Sequence, residues 1–185
     1  GLLLEEEVRE LTNALKPARP SLAVIGGAKF STKEPVLITL LKKYDHVFVG
    51  GALANDFIKA AGQEVGHSLV SGVASKAQVK HLLANSKLSI PIDLVVVSAK
   101  AVGALNAKAE AHVSTIREVK KGESILDVGP ATSAELAARA QKAKTILWNG
   151  PLGNYENGFI DATDHFARVA AAAGAHTIIG GGDTV

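Results

Sequence analysis

HVFVGGALANDFIKAAG, residues 46–62, contains the unit from which this chain is built. A short apolar run, HVFVGG at 46–51, meets a pair of glycines. A helical stretch around 53–61 follows, and Gly62 closes it. The same unit recurs on both sides. SLAVIGG (21–27) precedes a helix around 33–43. ILDVGP (125–130) precedes a helix around 133–142, which Thr132 with Glu135 three residues on would open as a capping box. TILWNGP (145–151) precedes a loop and a helix around 162–173 closed by Gly174, and HTIIGGG (176–182) comes last. DLVVVSA (93–99) is another apolar run, but 85–92 and 100–124 carry no clear signal beyond a weak strand pattern at 113–119.

Near-continuous apolar strands imply burial on both faces, hence a parallel sheet with helices on each side. Right-handed crossovers then bring every strand's C-terminal end to one edge. The expected fold is α/β: a doubly wound, Rossmann-like, three-layer αβα domain over 17–185, with a mostly parallel sheet of about six strands. Ahead of it, Leu4, Val8, Leu11 and Leu15 fall at helical spacing over 1–16, until Pro17 and Pro20 stop the helix. The glycines gather on the strand-end edge, where open α/β sheets bind ligands.

Composition narrows the classes. With 185 residues, 47% of them hydrophobic, one domain can fill a sizeable core. Aromatics are only 4%, so Val, Ile, Leu and Ala must do the filling. The absence of cysteine excludes a disulfide framework and a thiolate metal site, and fits a cytoplasmic setting. A net charge of +2 gives no electrostatic reason for a nucleic-acid or membrane partner. No apolar run approaches the roughly 18 residues of a membrane span, and no signal-peptide pattern opens the chain. The six histidines show no ligand spacing. The chain begins at Gly1 inside a helical pattern and stops at Val185 just after GGGDT, so the expectation is a piece cut from a longer protein, incomplete at its C-terminal end.

Four strand-end motifs carry the candidate chemistry. In GGAKFSTKEP (26–35), Lys29 lies just before a helix and Lys33 in its first turn. Each opposes the helix dipole at a cost of about 0.3–1 kcal/mol when exposed, and a bound polyphosphate would reverse that sign. Solvated surface lysines are the competing reading. In GGALANDF (50–57), Gly50 and Gly51 either let a flat base lie on bare backbone or serve tight strand–helix packing. In WNGPLGNYE (148–156), Trp148 reads as core, Asn149 can donate to phosphate, and Gly150-Pro151 forces a turn. Gly153 frees the next backbone segment, and Glu156 either accepts from ribose hydroxyls or caps a helix. In GGGDT (180–184), Asp183 is a magnesium ligand or an N-cap. Neither G-x-G-x-x-G nor an acid at the end of the second strand is present, which argues against a nicotinamide or adenosylmethionine site.

Together these motifs resemble phosphoglycerate kinase, specifically its C-terminal, nucleotide-binding domain. PARPSLAVIGGAKFSTK (17–33), HVFVGGALANDF with EVGHSLV (64–70) behind it, IPIDLVVV (90–97), ILDVGPAT (125–132), AKTILWNGPLGNYE (143–156) and TIIGGGDT (177–184) occur in the family's order. The resemblance covers nearly the whole chain, and WNGP-x-G-x-x-E followed by GGGDT is its most specific part. It implies magnesium-dependent phosphoryl transfer between 1,3-bisphosphoglycerate and ADP, giving 3-phosphoglycerate and ATP, in glycolysis. It implies that Lys29 neutralises the moving phosphoryl group and that Lys33 holds the nucleotide phosphates. Gly27, Ala28 and Gly153 would join the nucleotide site, Gly50 and Gly51 would line the adenine pocket, and Asn149 would reach phosphate. Pro151 would wall the base or sugar, and Glu156 would take the ribose. Gly181, Gly182 and Thr184 would meet phosphates, and Asp183 would hold magnesium.

By the same resemblance, residues 1–16 are an interdomain-type helix, and phosphoglycerate is held by an N-terminal domain outside these residues. The full-length protein would be monomeric, and this half alone inactive. A non-catalytic nucleotide-binding module is the alternative. Ala52 stands where the family has a third glycine, Asp56 where Thr is common, Asn154 where Val is common, Tyr155 where Phe is common, and Ala162 where Gly is frequent. None of these removes a charge the reaction needs.

Overall fold

The computed structural model of the chain describes residues 13–72 and 74–181. Most of the helix expected over 1–16 lies outside the described residues, as do Gly182, Asp183 and Thr184. Eight strands are described: β1 Ser21–Ile25, β2 His46–Val49, β3 Leu88–Ser89, β4 Asp93–Ser98, β5 His112–Thr115, β6 Glu123–Val128, β7 Thr145–Asn149 and β8 His176–Gly180. The helices that follow the start of β1 are α1 Phe30–Lys43, α2 Gly51–Ala60, α3 Lys76–Leu83, α4 Pro130–Lys142 and α5 Asp161–Ala172.

The chain has an α/β fold. Five strands form a parallel sheet in the order β3-β2-β1-β7-β8. Alternate residues of β1 serve opposite layers, as the strand's two-residue period requires. Ala23 and Ile25 pack with Phe30, Leu37, Leu53 and Phe57 of α1 and α2. Leu22 and Val24 pack with Leu136, Ala140 and Phe166 of α4 and α5 on the other face. That is the doubly wound arrangement the apolar strands predict. Among the described residues, no helix is long and apolar enough to cross a membrane.

The expectation that all the apolar runs share one sheet meets a difference. DLVVVSA and ILDVGP are β4 and β6, and they pair antiparallel with each other in a separate sheet of order β5-β4-β6. Their continuous apolarity has a different source from parallel pairing. Leu94 and Val96 pack with Ile58 and Val65, while Val97 and Leu126 pack with Ala107 and Phe159. The run therefore reports burial on two faces, which a small covered antiparallel sheet satisfies equally well.

The start of α4 also differs. Thr132 and Glu135 form no capping box there, and Gly129 is the N-cap residue. The cap comes from β4 instead. The Asp93 carboxylate accepts from the backbone N–H of Ala131 at 2.9 Å and of Thr132 at 2.8 Å, and from the Thr132 hydroxyl at 2.6 Å. Glu135 pairs with Arg139 one turn on, at 3.0 Å. A true capping box opens α3, where Ser75 and Gln78 bond each other's backbone N–H. That S-x-x-Q signal lies between the strand-end motifs, and β3 lies within 85–92, which carries no clear signal of its own.

Candidate functional site

Register brings the motifs together. Ile25 stands opposite Val49 and Asn149, and Asn149 opposite Gly180, so β1, β2, β7 and β8 end level. The loops that leave them are stitched backbone to backbone. Gly26 N–H donates to Asn149 O at 2.7 Å, Gly27 N–H to Pro151 O at 3.2 Å, and Leu53 N–H to Gly27 O at 2.7 Å. The glycines make this approach sterically feasible. A Cβ on Gly26 would lie 2.1 Å from Pro151 O, and one on Gly51, whose φ is +60°, would lie 2.7 Å from the same oxygen. Trp148 supports the turn from behind as a buried core residue. Its indole N–H donates to Gly150 O at 2.9 Å, and its ring meets Phe166 edge-on at 5.0 Å.

The lysines stand at the start of α1. Lys29 is its N-cap residue, and no acid occupies the first turn to offset the helix dipole. Lys33 is half-buried, and its ammonium donates to the Asn149 side-chain carbonyl. Burial pushes the Lys33 pKa down. The bond joins the GGAK and WNGP loops across the strand ends.

A cleft of about 640 Å3 opens beside these loops. Gly27, Ala28, Lys29, Lys33, Gly51, Pro151, Gly153 and Glu156 all line it. Gly50 stands off the wall, where an added Cβ would strike Leu152 at 2.7 Å and Phe48 at 2.9 Å, so packing accounts for this glycine. Asn149 is also off the wall and reaches the site through Lys33. Gly181 follows β8 next to that edge.

The far wall comes from residues the motif reading missed. Leu69, Pro91, Leu94, Ile125 and Leu126 make it apolar, and Asn55 and Asp127 also line it. Asp127 accepts from the N–H of Val128 at 2.9 Å and of Ala162 at 3.2 Å, and so holds the start of α5. Burial pushes its pKa up to about 6, despite those hydrogen bonds. An acid inside an apolar strand and an amide on a buried helix face were visible as irregularities in ILDVGP and GGALANDF. Only the packing shows that both residues line the cleft.

Among the described residues, no group of three or more His, Asp or Glu side chains could hold a metal ion.

Comparison with known proteins agrees with this geometry. The family model described as phosphoglycerate kinase matches residues 1–185. Phosphoglycerate kinases of Coxiella burnetii and Vibrio campbellii are each 41% identical to the chain and cover 100% of it, while it covers 48% and 47% of their lengths. The chain thus spans about half the length of the curated relatives it matches. The solved structure of the Coxiella burnetii phosphoglycerate kinase superposes with a TM-score of 0.88 at 40% identity, over 98% of this chain and 47% of that one. The Pyrococcus horikoshii phosphoglycerate kinase shares the fold, with a TM-score of 0.81 at 24% identity over 100% of this chain and 47% of that one. Sequence motifs, strand-end geometry and the full-length family match lead to one conclusion: the chain belongs to the phosphoglycerate kinase family.

Proposed function

We propose that this chain is the nucleotide-binding half of a phosphoglycerate kinase, taking ADP or ATP into the cleft at the strand ends. The phosphoryl group would pass between 1,3-bisphosphoglycerate and ADP, giving 3-phosphoglycerate and ATP. The observation that carries this reading is the cleft itself. Lys29, Lys33 and glycine backbone at the start of α1 share it with an apolar wall from β4 and β6. A ligand that is anionic at one end and flat and apolar at the other fits that polarity.

The chemistry asks for positioning and charge stabilisation more than covalent help. Lys33 binds the nucleotide phosphates, and Lys29 neutralises charge on the transferred group. Gly27, Ala28, Gly51 and Gly153 let the backbone approach, Pro151 walls the base or sugar, and Glu156 accepts from the ribose hydroxyls. Asn149 holds Lys33 in place before the nucleotide arrives. Gly181, Gly182 and Thr184 complete the phosphate side. Magnesium, held by Asp183, would neutralise the phosphate oxygens when bound. A separate domain outside these residues binds the phosphoglycerate, and the whole protein works as a monomer in the cytoplasm.

Calorimetric titration with ADP, with and without magnesium, tests the reading. Binding strengthened by magnesium and weakened by Lys29→Glu or Lys33→Glu is the expected result. Affinity unchanged by either charge reversal would show that the lysines are solvated bystanders. A steady-state assay of this chain alone, with both substrates, should show no appreciable turnover; substantial activity would refute the division of labour between two domains.

A further inference from the structure

The segment between α2 and α3 supplies one side of the cleft and is fastened at two places. Its first part is fastened to β6. Gly66 bridges Ser124, His67 N–H donates to Glu123 O at 2.8 Å, and Ile125 N–H donates to the Ser68 hydroxyl at 2.8 Å. Its second part is fastened to α2 by two consecutive side chains. The Asn55 amide donates to Leu69 O at 2.9 Å. Asp56 accepts twice from Ser71: from the backbone N–H to Oδ1 at 3.1 Å, and from the hydroxyl to the same oxygen at 2.9 Å.

Between these fastenings Leu69 stands 64% exposed on the cleft wall, beside His67 and Ser68. So exposed a side chain has little packing of its own to hold it, and its place depends on the backbone on either side. Beyond Ser71, Gly72 has open space where a side chain would stand, so it adds no packing either. Asp56 is 5% exposed and does not itself line the cleft. Bonds to an ionised carboxylate are about twice as strong as neutral ones, so of the two ties to α2 the Asp56–Ser71 pair is the firmer.

We infer that Asp56 is a positioning residue: by holding Ser71 it sets the Leu69 wall of the cleft before a ligand arrives. The inference rests on the nucleotide reading above and adds to it a residue that stands outside the cleft. A wall fixed in advance need not be ordered on binding, which strengthens affinity without a new contact. The effect belongs to the apolar end of the ligand, because Lys29 and Lys33 are carried by the start of α1.

The test titrates ADP and inorganic pyrophosphate calorimetrically into the unsubstituted chain, Asp56→Ala, Asp56→Asn and Ser71→Ala. Asp56→Ala should weaken ADP by roughly two- to tenfold, the cost of ordering one wall side chain on binding. Pyrophosphate, which needs only the lysine side, should bind all four proteins alike. Asp56→Asn keeps a neutral acceptor and Ser71→Ala keeps the N–H bond, so each should weaken ADP less, and these two decide the matter if Asp56→Ala does not fold. ADP affinity unchanged in the variants overturns the inference and leaves the nucleotide reading standing. A parallel fall for pyrophosphate overturns it as well, since a general loosening of the fold would act on both ligands. If the unsubstituted chain does not bind ADP, the nucleotide reading falls and this inference with it.

Discussion

Lys33 and Asn149 show how single residues set the site's chemistry. They are 116 positions apart in sequence, yet the Lys33 ammonium donates to the Asn149 carbonyl. A phosphate is the stronger acceptor, because both members of that bond are charged. Asn149 therefore positions the lysine without trapping it. Asn149→Asp would change that balance by adding a carboxylate beside the ammonium and, on the proposed nucleotide reading, near the phosphates. We expect ADP affinity to fall by about tenfold, the scale of one charge-assisted hydrogen bond, with a salt dependence that isothermal titration would detect. Gly26→Ala probes the backbone side of the same corner. Its Cβ would lie 2.1 Å from Pro151 O and 2.6 Å from Gly150 O, where no flexible side chain can yield. A loss of about 1–3 kcal/mol or more in chemical denaturation is expected, as for overpacking elsewhere; wild-type stability would mean the WNGP turn moves freely.

At the scale of elements, α4 is tied to the small sheet by one carboxylate. Asp93 at the start of β4 accepts from two N–H groups of the first turn of α4 and from Thr132. Asp93→Ala should cost about 1–2 kcal/mol, the usual worth of a lost N-cap, read as a shift of the urea midpoint. Asp93→Asn keeps one acceptor and should recover part of that. If Asp93→Ala leaves the midpoint in place, water caps this helix equally well. The element-level reading from sequence found a capping pattern at the right helix and chose the wrong residues. Thr132-x-x-Glu135 satisfies the local rule, but Asp93, closer in space, supplies a stronger acceptor from 39 residues away. Helix capping by a neighbouring strand leaves no mark at local spacing.

Across the whole molecule, one half-buried and one buried group pull the acid response in opposite directions. Burial holds His46 neutral, with Arg139 adding to it and Glu135 opposing, and its pKa falls to about 4. The unfolded chain takes up that proton near pH 6.5. Stability from His46 is therefore lost as pH falls from about 6.5 to about 4. Asp127 behaves in reverse. Burial puts its folded pKa at about 6, and Asp161 and Lys108 add smaller, opposed effects. Its unfolded value is near 3.9, so its contribution is fully present below that pH and is lost as pH rises through about 6. Between about pH 4 and pH 6 the two effects partly cancel. Asp127→Asn removes one of them, so its denaturation midpoint should fall more steeply with acidification than that of the unsubstituted protein. Parallel curves would show that Asp127 titrates as an ordinary exposed acid.

By itself the sequence determined the strand–glycine–helix units, the parallel sheet they make, and the presence of two lysines and a WNGP turn on its strand-end edge. These are local matters: side-chain period, glycine and helix starts act within a few residues of chain. The tertiary structure alone decided that DLVVVSA and ILDVGP leave the large sheet and pair antiparallel, since apolar continuity records burial and not the direction of a neighbour. It also decided that Gly50 serves packing while Gly51 reaches the cleft, and that Asp93 caps α4. Asn55 gained its meaning in the same way. Its amide nitrogen donates to the Leu69 carbonyl, a bond that arises only once separate segments are packed together.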